Sequence, residues 1–252
     1  MTPALAVLVL VAAPPAPAPV PVAGAKHTLT ITDSRELSGT VEGRKAAMDT
    51  LPQVGKATIA FTIGSVDGAR PSQLELSVTS GNEGLKGRAF TAEVLSGDLL
   101  LRDTRGAPKG AQLEATKTFK PFVGALLRED PIVAAARSGA DGCSSEVREK
   151  VLDATAHEVH ALIGGTIAFE LAPGGEASCG KKKTPEKYDV KFGLTLRSGE
   201  YTVVFPFKGT VEIGAKAWHA NLDLSASTKF DMPGYGVKGK MSASITLKTT
   251  VK

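Results

Sequence analysis

Two histidines flank a glutamate and a valine in "ATAHEVHALIGG", residues 154–165. A zinc-protease helix carries H-E-x-x-H, which stacks two imidazoles one turn apart and sets the glutamate beside the metal-bound water. Here His157-Glu158-Val159-His160 is one residue short of that spacing. Three residues still place both rings on neighbouring helical rows, and Asp153, four before His157, offers a third ligand. The apolar residues decide against a metal. Leu152, Ala156, Val159 and Ile163 form a stripe at i, i+4, i+7 and i+11, which sends His157 to a flank. The motif reads as the polar flank of a surface helix, and no metal or cofactor is assigned to it.

Other chemistry is equally sparse. "RSGE" and "LSGD" are hairpin turns with serine, not the strand-to-helix elbow of G-x-S-x-G. His27 and His219 lack local partners that would mark a triad. "PGYGVKGK" has neither the Walker pattern nor a following helix. An active site needs a nucleophile, a base and an oxyanion donor in one constellation, and none is visible. The chain is therefore expected to be a non-enzyme. Lys181-Lys182-Lys183, with Lys187 nearby, is read as a solvated loop, because charge runs without interleaved aromatics face water.

The elements that would position any site are mainly strands. "KATIAFTIG" and "SQLELSVTS" alternate apolar and polar residues at period two, and Asp67-Gly68 and Pro71 supply the turn between them. Further strands are predicted at "HTLTIT", "RAFTAEVL" and "DLLLRD", the last two joined at Ser96-Gly97. From about residue 119 to 164 the spacing turns helical. Phe122 and Leu126 are four apart, Asp130-Pro131 signals an N-cap and first turn, and Ser144 or Ser145 opens a longer helix stopped by Gly164-Gly165. Strands resume at "TIAFELA", followed by a loop "PGGEASCGKKKTPEK" and the hairpin "KYDVKFGLTLRSGEYTVVFPFKG". A long alternating strand from Val237 to Val251 ends the chain.

These patterns predict a mainly β (β-rich α+β) fold: a curved or barrel-like antiparallel sheet of about ten strands with a central helical insertion. Because all-β domains reach this length as one unit, residues 26–252 are expected to form a single domain. Ala57, Ala92, Ala215, Ala217, Ala226 and Ala243 lie in phase with the large apolar residues. A cupped sheet lined by such small side chains leaves room for a ligand, unless helices or a second layer fill it. Phe192, Phe205, Phe207 and Trp218 are core residues first and ligand-facing candidates second. The outline is similar in architecture to that of periplasmic lipid carriers, a likeness that implies no activity.

The first 25 residues, with an apolar run from Ala4 to Ala13 and the triplet Ala23-Gly24-Ala25, read as a signal peptide cleaved after Ala25, though no Lys or Arg precedes the run. The run is too short for a transmembrane anchor. In an exported chain the two cysteines, Cys143 and Cys179, are expected to form a disulfide worth roughly 3 to 4 kcal/mol. A net charge of +4 falls short of the basic stripe of a nucleic-acid binder. The expected function is an exported, extracytoplasmic binding protein, periplasmic or secreted, holding an apolar small molecule or lipid between sheet and helices. The alternative is an envelope or surface interaction protein with a solid core and no small ligand.

Overall fold

The computed structural model describes residues 21–42, 44–46, 54–68, 70–81, 86–96, 98–104, 122–124, 126–127, 130–139, 141–163, 169–180, 187–198, 201–214, 219–232 and 237–252. They build one antiparallel sheet of eleven strands, in the spatial order β6-β5-β4-β3-β1-β11-β10-β9-β8-β7, with β2 beside β1. The strands are β1 (Lys26–Val41), β2 (Arg44–Ala46), β3 (Gly55–Asp67), β4 (Arg70–Ser80), β5 (Ala89–Leu95), β6 (Asp98–Asp103), β7 (Phe169–Cys179), β8 (Lys187–Ser198), β9 (Tyr201–Glu212), β10 (Asn221–Met232) and β11 (Val237–Val251). The helices α1 (Pro131–Arg137) and α2 (Ser145–Ile163) follow helical residues at 122–124 and 126–127.

The sheet curls but does not close, since β6 and β7 are its two edges and do not pair. Two meanders, β3 to β6 and β7 to β11, flank the N-terminal strand β1. The chain between β6 and β7 must connect one edge to the other, and the helices sit in that connection. A curled sheet shields its own concave face when a helical layer lies inside the curl. One buried cluster unites Ile31, Ile59, Phe61, Leu74 and Phe90 of one meander side with Tyr188, Phe207, Leu224 and Ile245 of the other, and with Val133, Val151 and Val159 of the helices.

Alternation sets which residues face in. On β11, Ala243, Ile245 and Leu247 are buried while Lys240 and Lys248 are exposed. Asp130 caps α1 through Ile132 N, 2.7 Å away, and Ser144 Oγ accepts from Val147 N at the start of α2, as the sequence signals predict. The Cys143–Cys179 disulfide is present. It joins the entrance of α2 to the end of β7, not to a loop, because β7 runs on through Pro173-Gly174-Gly175 as an irregularity between Leu171 and Gly175. β1 is also longer than "HTLTIT", reaching Val41.

The β9–β10 pairing is the irregular part of the sheet. Its register covers only Asn221–Glu212 to Ser225–Lys208, although both strands have twelve residues. Just beyond it lies Pro206, which has no N–H to donate to a ladder. Where the two strands do pair, Gly209 is required by close approach: a Cβ there would stand 2.0 Å from Asp223 O. No helix among the described residues is long and apolar enough to cross a membrane. Gly209→Ala should therefore lower unfolding free energy by about 2 kcal/mol or more, whereas Gly180→Ala, with open space around it, should stay within about 0.5 kcal/mol. Urea denaturation of the two variants checks this.

Candidate functional site

The inner face of β1 carries a charge pair in phase with its apolar residues. Leu29, Ile31, Asp33 and Arg35 are all buried on that face. Arg35 Nε and Nη2 donate to Asp33 Oδ1 and Oδ2 at 2.8 and 2.6 Å, a bidentate fork. Val54 N donates to Asp33 Oδ2 at 2.8 Å, which fixes the chain entering β3. Arg35 Nη1 donates to Leu162 O at 3.1 Å. That carbonyl belongs to the last described turn of α2, where a cation is favoured by the helix dipole.

A second pair lies where α1 meets the loop before β10. Asp130 Oδ2 accepts from Ala220 N at 2.8 Å and stands 2.7 Å from His219 Nδ1. The ring N–H is not aligned on that oxygen, so the contact is an ion pair, not a well-directed hydrogen bond, and Nδ1 has no other partner among the described residues. Burial alone would lower the His219 pKa, yet the Asp130 contact and the charges of Asp130 and Glu158 raise it above 6.5. Burial would likewise raise the Asp130 pKa, but His219 and the amides of Ala220 and Ile132 hold it below 3.8. Both shifts favour the charged forms of the pair.

Glu158 connects the two pairs. It projects from the buried side of α2, following Val151 and Thr155 and preceding Leu162. Burial raises its pKa above 4.5; His219 and Arg35 pull it down, and Asp130 pushes it up. No hydrogen bond reaches its carboxylate among the described residues. The glutamate of "HEVH" thus faces the interior, while His157 is exposed and His160 Nε2 contacts Phe169 O. Among the described residues no three His, Cys, Asp or Glu side chains converge to hold a metal. Thr155, the buried hydroxyl on α2, donates to Val151 O.

The aromatic candidates are packed. Phe205 and Phe207 are buried, with Phe169 edge-on to Phe205 at 5.8 Å and Phe192 stacked on Phe207 at 5.6 Å. Trp218, Lys181 to Lys183, Ala215 and Ala217 lie outside the described residues. Along the rim where β9 and β10 part, the inner face is less covered: Leu37, Leu196, Val203, Thr228, Phe230 and Met241 are only half-buried.

Sequence reading missed the network for identifiable reasons. Asp33 and Arg35 occupy apolar-phase positions of "TLTITDSREL", and Glu158 falls among buried positions of α2, so two inward charges on a strand and one on a helix were legible signals. Asp130 was legible as a cap, but its partners Ala220 and His219 are 90 residues away or nearly so.

Stability should follow the signs of these shifts. His219, with a raised value, stabilises below pH 6.5 and loses that contribution as pH climbs through its folded value; Asp130 loses its contribution only as pH falls below 3.8. Asp130→Ala at pH 6 should cost about 3 to 5 kcal/mol, because it strands a buried imidazolium and removes a cap. Glu158 works the other way: ionising it in the folded state is disfavoured, so stability falls as pH rises from 4.5 through its folded value. Glu158→Gln should therefore raise the Tm at pH 8 and leave it nearly unchanged at pH 4. Thermal melts across pH read both effects, and an unchanged difference at both pH values would remove Glu158 from the network.

No known protein family, curated protein or solved structure matches this chain.

Proposed function

We propose that the chain is an exported, non-enzymatic carrier that holds the apolar part of an amphipathic molecule at the rim between β9 and β10. The observation that supports this reading is the interrupted ladder there. Past Ser225 and Lys208 the strands no longer pair, and the inner-face residues Val203, Phe230 and Met241 are half-buried instead of sealed. Apolar side chains left partly wet at an opening are the ordinary signature of a binding edge. The buried charges lie on β1, α2 and the loop before β10, where they tie the helices to the sheet.

A second reading, a surface interaction protein with a solid core, is favoured by the close packing of Phe169, Phe192, Phe205 and Phe207. Native mass spectrometry and solvent extraction of protein from its own host separate the two. The carrier reading expects co-purified lipid and fluorescence enhancement of N-phenylnaphthylamine that falls when Phe230 and Met241 are both changed to serine. Absence of lipid together with absence of probe binding selects the solid-core reading.

Export is supported by the disulfide, since such bonds persist in oxidising compartments. The segment expected to be a signal peptide lies outside the described residues up to position 20. Gly24 N donates to Ile63 O at 2.7 Å and Ala25 O accepts from Ile63 N at 3.0 Å, bonds that cleavage after Ala25 would disrupt. Processing upstream of Gly24 preserves both, so the intact mass of exported protein is expected to correspond to a start before Gly24.

A further inference from the structure

We propose that the outer face of the sheet around the β9–β10 opening docks on an anionic lipid surface. The inference goes beyond the carrier reading and does not need a carried ligand. On β1 this convex face bears mainly small hydroxyl residues, such as Thr28, Thr32 and Ser34, which water solvates without consequence. Around the opening apolar and basic side chains stand together. Val204, 45% exposed, and Pro206 are apolar and point outward from β9. Lys208 on β9, Lys229 on β10 and Lys240 on β11 surround them, all exposed.

The lysines differ from others on the same sheet. Lys187, Lys191 and Lys238 are paired with Glu212, Glu176 and Asp231 at 2.8, 3.4 and 2.8 Å. Among the described residues, Lys208, Lys229 and Lys240 have no acidic partner. Lys229 stands directly opposite Lys240, and Lys208 directly opposite Lys191. Like charges facing across a ladder destabilise the isolated protein, and an anionic surface removes that cost. Lys208 and Lys240 also border a groove of about 610 Å³ floored by Ser225 and Ser227, with Glu36 at its far side. Glu36 offsets one cation, leaving the balance of the groove and its rim positive.

A bilayer suits this arrangement better than a soluble anion does. Phosphate would use the lysines and leave Val204 and Pro206 in water, whereas a bilayer offers headgroup charge and an apolar boundary together. Docking at this place also sets the half-buried rim residues beside the membrane.

The test is sedimentation of the full chain with vesicles of phosphatidylcholine alone and of phosphatidylcholine with phosphatidylglycerol. Binding is expected only to the second, weakening with salt as screening shortens the reach of each charge. Lys208→Gln, Lys229→Gln and Lys240→Gln combined should weaken it at least about tenfold. This variant relieves like-charge contacts, so it should fold as well as the parent, which melting checks. Val204→Ser should weaken binding without changing the salt dependence. Lys56→Gln with Lys248→Gln, on the same outer face away from the opening, should leave it within about twofold. Equal losses in the two lysine sets would reduce the effect to net charge and overturn the site. Binding to dextran sulfate without binding to anionic vesicles would overturn it in favour of a polymer, and equal binding to both vesicle types would remove the electrostatic argument.

Discussion

A guanidinium on the inner face of a strand decides where the helices of this protein lie. Arg35 is held by the fork to Asp33 and donates from Nη1 to Leu162 O in the last turn of α2. Apolar contacts are non-directional, and a smooth concave face would accept a helix at many azimuths and heights. A buried hydrogen bond to a helix terminus admits one. The same carboxylate that holds Arg35 also holds Val54 N, so the register of β1 with β3 and the seat of α2 are fixed at one place. At the other end of the helical layer Asp130 does the corresponding work, joining the first turn of α1 to Ala220 and His219.

The charges are nearly balanced only if their protonation is considered together. Arg35 opposes Asp33, His219 opposes Asp130, and Glu158 is the odd group, half-buried and without a hydrogen bond among the described residues. Burial disfavours its charged form, while two nearby cations favour it. Taking an unpaired carboxylate from water costs several kcal/mol, and its retention shifts protonation instead. The interior is consequently destabilised by rising pH through both Glu158 and His219, and by falling pH through Asp130.

The sheet is held open by backbone chemistry more than by side chains. Gly209 lets β9 and β10 come close enough to pair, and Pro206, three residues earlier, removes a donor at the level where the pairing stops. Opposite consequences thus follow from two neighbouring residues in "FPFKG". The inner face of the parted strands is half-covered, and their outer face collects exposed lysines around Val204 and Pro206. An apolar rim and a basic surround on opposite faces of one opening are what give the carrier and membrane-docking proposals a common location.

What the sequence determined by itself is whatever depends on neighbours along the chain. Period-two alternation in β3, β4, β8, β9 and β11, the turn residues between them, the Asp130-Pro131 cap and the Ser144 start all rest on local sterics and hydrogen bonds, and each was legible. The disulfide was legible from cysteine count and expected compartment. Whether the sheet would close was decided elsewhere. The strand order, with β1 between two meanders and the helical connection joining opposite edges, depends on which edges meet, and alternation is the same for any order. The role of "HEVH" was also decided in space. Helical spacing correctly put His157 outside, but whether Glu158 faced water or Arg35 and His219 depended on groups 123 and 61 positions distant in the chain. Charges are costly inside only where nothing answers them, and the answering groups become neighbours only when the sheet curls around the helices.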